Sequence, residues 1–189
     1  GPDIHTQQFD LAQQGIQVLH DLLGVRWVVL DRYKMPGGPE REITDAYAQS
    51  VFGEQAPLFE DERITVYAVP EPAVREPYLI LGTDWQARQS DDGGRVWREL
   101  PAGQSANLEL VNPTGRPLAL TISAAGQGTL RLVDESGHTL ATWEPADANT
   151  VVRLEQATVP AAATTVRLDF EGAPGAGVQV HELSVSEAP

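Results

Sequence analysis

Leu118-Ala119-Leu120-Thr121-Ile122-Ser123-Ala124-Ala125-Gly126-Gln127-Gly128-Thr129-Leu130-Arg131-Leu132-Val133 is the stretch that decides the fold class. Leu118, Leu120 and Ile122 recur at every second residue, and Leu130 and Leu132 do the same after Gly126-Gln127-Gly128. A period of two puts each set on one face of a strand, and the glycine-flanked break reads as the turn between them. The same alternation continues outward in Val166, Leu168 and Phe170 and in Val178 and Val180. Nine short strands are predicted over this half: Tyr78 to Leu81, Val96 to Leu100, Asn107 to Val111, Leu118 to Ser123, Thr129 to Val133, Thr139 to Trp143, Thr150 to Glu155, Thr164 to Phe170 and Val178 to Val185. Turn signals separate them, among them Asn112-Pro113-Thr114-Gly115, Glu135-Ser136-Gly137 and Gly172 to Gly177. Short strands spaced about ten residues apart are the pattern of sandwiches and jelly rolls. In the last strand the apolar parity passes from Val178/Val180 to Leu183/Val185, which predicts a bulge around His181-Glu182.

Upstream the character changes. Pro70-Glu71-Pro72-Ala73-Val74-Arg75-Glu76-Pro77 places three prolines in eight positions, which no helix or central strand accommodates. Before it, Leu11, Gly15, Val18, Leu19 and Leu22 form an apolar stripe of helical period, with Asp10 as cap and Gly24 as stop. Val25 to Leu30 reads as a strand apolar on both faces, with Trp27 in the core. Ile43, Tyr47 and Val51 mark a second helix closed by Gly53, and Ile64, Val66 and Ala68 alternate in a strand over Arg63 to Val69. Were the two strands parallel, their crossover would be right-handed. The expected architecture is α+β: a small α/β unit over 3–70, a proline-rich linker over 71–77, and an antiparallel, jelly-roll-like β-sandwich over 78–187.

The chain has 189 residues, with 13 Lys+Arg against 27 Asp+Glu, a formal net charge of −14. Nucleic-acid binding through phosphate neutralisation needs a basic face and is not expected, and an anionic membrane surface would repel the chain. There is no cysteine, so disulfides, Cys-type zinc sites and thiol catalysis are excluded. No apolar run approaches the roughly 20 residues of a membrane helix. Gly1-Pro2, without an initiator Met, reads as the remnant of a proteolytic cut, and the chain as a piece of a longer protein.

Chemistry-bearing motifs are few. No phosphate-binding glycine loop or nucleophile elbow is present, and His5, His20, His138 and His181 lack ligand spacing. Glu60-Asp61-Glu62 reads either as one carboxylate of a glycosidase pair or as a solvated turn. Asp91-Asp92-Gly93-Gly94 reads either as oxygen ligands for Ca²⁺ or as a glycine-rich hairpin turn. Trp85 and Trp97 bracket that turn. Sugars present C–H faces that stack on aromatic rings, so Trp85, Trp97, Asp91 and Asp92 are the candidate ligand-binding residues. No catalytic residue, metal site or cofactor is assigned.

Two stretches resemble a known family. Leu22-Leu23-Gly24-Val25-Arg26-Trp27-Val28-Val29-Leu30-Asp31 and Pro57-Leu58-Phe59-Glu60-Asp61-Glu62-Arg63-Ile64-Thr65-Val66-Tyr67-Ala68-Val69-Pro70 are similar to the extracytoplasmic C-terminal region of bacterial polytopic membrane glycosyltransferase-like proteins of the lipid-linked-sugar-dependent, mannosyltransferase-like group. Leu81-Gly82-Thr83-Asp84-Trp85 and Asp91 to Arg98 look like the entry to the sandwich appended there. The resemblance implies a non-catalytic accessory domain on the outer face of the bacterial membrane, joined to it through helices outside this sequence, with saccharide or lipid-linked glycan as partner. The family's catalytic residues lie in a region this sequence does not include. Two other readings remain: a carbohydrate-binding module of a secreted enzyme, and a hydrolase using two of Asp61, Glu62, Asp91 and Asp92.

Overall fold

A computed structural model describes residues 15–34, 37–53, 55–145, 147 and 149–189. The expected cap Asp10, together with Leu11 and His5, lies outside them. The chain divides into two compact units, one ending at Arg75 and the other taking up at Glu76, inside the proline-rich stretch.

The first unit carries α1 (Val18–Leu22), whose turn is π-helical, β1 (Trp27–Asp31), α2 (Pro39–Phe52), β2 (Phe59–Glu60) and β3 (Ile64–Ala68). Pro39 opens α2, where its missing N–H costs no helical hydrogen bond. The strands form a sheet in the order β1-β3-β2. β1 and β3 pair antiparallel, Val28 opposite Tyr67 and Val29 opposite Val66, so no parallel crossover exists. Leu19, Ala48, Phe52 and Val69 form the core, with Val28, Leu30 and Tyr67 packed on it. The Phe52 and Tyr67 rings stack with centroids 4.7 Å apart. Trp27 is not a core residue: it and Val29 are exposed. Strand alternation explains this, because the helices cover only the face carrying Val28 and Leu30 and leave the other open. Arg75 donates to Asp21 at 2.8 Å and to Glu71 at 2.9 Å, fastening the end of the proline stretch to this unit.

The second unit is the antiparallel sandwich. One sheet contains β4 (Tyr78–Leu81), β7 (Ser105–Val111), β9 (Thr129–Asp134), β10 (Thr139–Trp143) and β13 (Thr165–Glu171), in the order β10-β9-β13-β7-β4. The other contains β5 (Gln89–Ser90), β6 (Val96–Pro101), β8 (Leu118–Ala125), β11 (Val152–Arg153) and β14 (Gly177–Glu187), in the order β11-β8-β14-β6-β5, with β12 (Ala157–Val159) also on β8. Every pairing is antiparallel.

Leu108, Leu130, Leu132, Leu168 and Phe170 of the first sheet meet Leu100, Leu118, Leu120, Ile122, Val178, Val180 and Leu183 of the second in one core. Each such side chain taken out of water contributes about 1.5–3 kcal/mol. The bulge in β14 falls where the parity switch places it. Val180 opposes Ala124 and Glu182 opposes Ser123, leaving His181 as the extra residue and returning Leu183 to the core. Trp143 is buried, its indole N–H donating to the Glu155 carbonyl at 2.8 Å. Among the described residues no helix is long and apolar enough to cross a membrane.

Candidate functional site

Alternation along β7 and β13 sets inward Ala106, Leu108, Leu110, Val166, Leu168 and Phe170 against outward Asn107, Glu109 and Arg167. The outer face of the five-stranded sheet is therefore polar, and two clefts lie on it. One, of about 540 Å³, is lined by Leu81, Gly82, Thr83, Asp84, Asn107, Glu109 and Thr165. The other, of about 530 Å³, is lined by Asn107, Asp134, Glu135, Ser136, Gly137, Thr165, Val166 and Arg167. Asn107 and Thr165 belong to both, so the two adjoin and form one open trough running across four strands. Three inter-strand spacings make it roughly 14 Å long.

Its polar groups are held in place by their neighbours. Asp84 accepts from the Asn107 backbone N–H at 3.0 Å and from Nδ2 at 2.7 Å, which fixes the amide's orientation. Glu135 accepts from Thr164 Oγ1 at 2.6 Å and from the Thr165 N–H at 2.8 Å, tying the β9–β10 turn to the start of β13. These bonds favour the ionised carboxylate and lower its pKa. Asp134 is likewise lowered, first by the His138 N–H that it accepts at 2.8 Å. Arg167 is bidentate to Asp169 at 2.6 and 3.0 Å. The result is a row of planar amide, carboxylate and guanidinium groups with fixed rotamers. Such groups bond ligand hydroxyls as donors and acceptors in known directions.

Of the four residues singled out from the sequence, Trp85 lies beside the trough, and Trp97, Asp91 and Asp92 lie on the β5–β6 hairpin of the other sheet. Trp85, packed against the sandwich core, donates its indole N–H to the Asn107 carbonyl at 2.8 Å, so it braces the trough's central strand. Trp97 lies on β6, in the other sheet. Its ring tilts against that of the bulged His181, centroids 5.8 Å apart, and Trp97 Nε1 and His181 Nε2 are both buried without a hydrogen-bond partner. Asp91 closes a hairpin turn, accepting from the Arg95 N–H at 2.9 Å and from its Nε at 2.7 Å. Arg95 is the main cause of its lowered pKa. Asp92 is exposed in the same turn. In the first unit, Asp61 accepts from the N–H groups of Arg63 and Ile64 at 2.8 and 2.6 Å, again a turn-holding role. Among the described residues no three His, Asp or Glu side chains group closely enough to hold a metal ion. No motif in the sequence singles out Asn107, Glu109, Thr165 and Arg167; the polar phase of β7 and β13 is the one signal that marks them.

No family model matches the chain, and no curated protein matches it. Solved structures similar to it include carbohydrate-binding modules. CsCBM6-3 from Clostridium stercorarium, in complex with cellobiose, is 19% identical with a TM-score of 0.42, over 61% of this chain and 89% of that one. A family 29 module from Piromyces equi is 7% identical with a TM-score of 0.41, over 57% and 80%. A Clostridium thermocellum xylanase comprising CBM22-1 and GH10 modules, complexed with xylohexaose, is 13% identical with a TM-score of 0.41, over 60% and 26%. The fold rests on the strand pairing described above, and the trough on its own side chains.

Proposed function

We propose that the sandwich is a carbohydrate-binding module of a larger protein and that the trough is its binding face. The observation that carries this reading is the set of polar groups that line the two adjoining clefts, Asn107, Thr165 and Arg167 on β7 and β13 with Asp84 and Glu135 in the turns after β4 and β9, of which Asp84, Asn107, Glu135 and Arg167 are held by side-chain hydrogen bonds. A site whose side chains are already held loses little conformational entropy on binding. An open trough of this length suits a short run of linked sugar rings lying across the strands. The module binds and performs no chemistry of its own.

The test is isothermal titration calorimetry with cellohexaose and xylohexaose, backed by affinity electrophoresis over soluble polysaccharides. Asn107→Ala and Arg167→Ala are expected to weaken binding at least tenfold without changing the circular dichroism spectrum. Absence of binding to every glycan, or binding untouched by both substitutions, defeats the proposal.

The parent protein is proposed to be of the membrane glycosyltransferase-like group. What supports this is the resemblance of 22–31 and 57–70, together with a separately folded unit ahead of the sandwich that sugar binding alone does not require. Reading the gene upstream tests it: several apolar spans of about 20 residues are expected, whereas a secreted catalytic domain there points to a module of a secreted enzyme.

A further inference from the structure

In the first unit the register lines up Phe59, Val66 and Val29 in one row across three strands. Trp27 lies on the same face beside Ala68. That face is open: Trp27 is 66% exposed, Val29 58% and Phe59 52%. At its end Arg63 donates to Asp31 at 3.1 and 2.8 Å and lies over the ring of Tyr33, itself 73% exposed.

Aromatic side chains present about 150–250 Å² each, so the exposed fractions of Trp27, Tyr33 and Phe59 leave roughly 400 Å² uncovered, and roughly 500 Å² with Val29. That matches the largest apolar patch of a typical monomer, about 300–600 Å², which is often a functional surface. Two such faces meeting would bury about 1,000 Å², the lower bound for a specific interface.

The charges indicate which partner fits. The chain carries −14, yet on this face the Asp31 carboxylate and the Arg63 guanidinium neutralise each other. A two-fold axis sets the apolar row against itself and the two ion pairs against each other in opposite sense, which is the self-complementarity a symmetric pair needs. We propose that the outward face of the β1-β3-β2 sheet is a self-association surface through which two copies of this chain pair.

Sedimentation velocity across about 1–500 µM decides it. A reversible dimer with a dissociation constant in the tens of micromolar is expected for so small an interface. It should tighten as salt rises, because screening relieves the repulsion between two −14 chains. Trp27→Lys and Val29→Lys should each weaken it at least tenfold with an unchanged circular dichroism spectrum, and Val74→Lys, exposed elsewhere, should not. A monomer at every concentration overturns the proposal, and so does a dimer indifferent to Trp27→Lys. If phosphatidylcholine vesicles bind the wild-type chain and not Trp27→Lys while the protein stays monomeric, the occupant is lipid and the proposal falls.

Discussion

Gly128→Ala is a demanding test of the sandwich geometry. Gly128 has φ +151°, and a Cβ there would stand 2.4 Å from the Glu171 carbonyl oxygen and 2.9 Å from the Phe170 ring. Neither obstacle can retreat easily. Glu171 opposes Thr129 in the β13–β9 ladder, and Phe170 is 1% exposed in the core. Holding a non-glycine residue at such a φ costs about 1–3 kcal/mol, and forcing an extra carbon into packed surroundings costs about 1–3 kcal/mol more. The expected loss is therefore about 2–6 kcal/mol. The comparison variant is Gly137→Ala. Gly137 also has a positive φ, +85°, but nothing lies within 4 Å of its would-be Cβ, so the backbone alone costs about 1–2 kcal/mol. Urea denaturation followed by tryptophan fluorescence measures both, and with m of about 2 kcal/mol/M the Gly128→Ala midpoint should fall by about 1–3 M. If the two variants lose equal stability, the close approach of the 126–128 turn to β13 is wrong.

Three further outcomes follow from the side chains. Asp31 is held at a pKa of about 2, chiefly by its hydrogen bonds from Arg63. Its contribution is complete above the ordinary carboxylate pKa near 4 and is lost as pH falls toward 2, so Asp31→Asn should flatten part of the acid limb of stability against pH, and an unchanged limb would count against the pair. Burial lowers the His181 pKa, opposed by its bond to the Val96 carbonyl; the fold therefore favours neutral imidazole, stability is full above pH 6.5 and declines below it, and His181→Gln should remove that slope in urea titrations at pH 5 and 7. Trp97→Ala should cost about 2–4 kcal/mol through lost packing while leaving glycan affinity unchanged, and a calorimetric loss of binding in a stable variant would return Trp97 to the site.

Much of the sandwich is written in local alternation, and so the sequence reveals it. Tyr78–Leu81 and Thr139–Trp143 coincide with the strands read from pattern, and the switch in phase at His181 gives away the bulge before any pairing is known. β5 and β12 are two and three residues long, too short to show a period. The sequence alone places Trp27 in the core, because a run apolar on both faces cannot say which face the helices will cover; that depends on pairing with Ala68, some forty positions away. The trough is hidden in the sequence for a related reason. Tryptophan draws attention as a sugar-stacking ring, whereas Asn107 and Arg167 look like ordinary solvent-facing members of a strand until the pairing of β7 with β13 sets them opposite each other.

The division of labour within β7 and β13 bears on how this surface could be remodelled. Inward positions maintain the layers, while the intervening outward ones, Asn107, Glu109 and Arg167, make contacts that the core does not require. If the trough binds glycan as proposed, recognition and foldedness are encoded on interleaved sets of letters. A combinatorial library randomising only those outward letters should return mostly folded members with divergent ligand preferences, which makes the sandwich a tolerant substrate for drift in specificity and for selection at the bench.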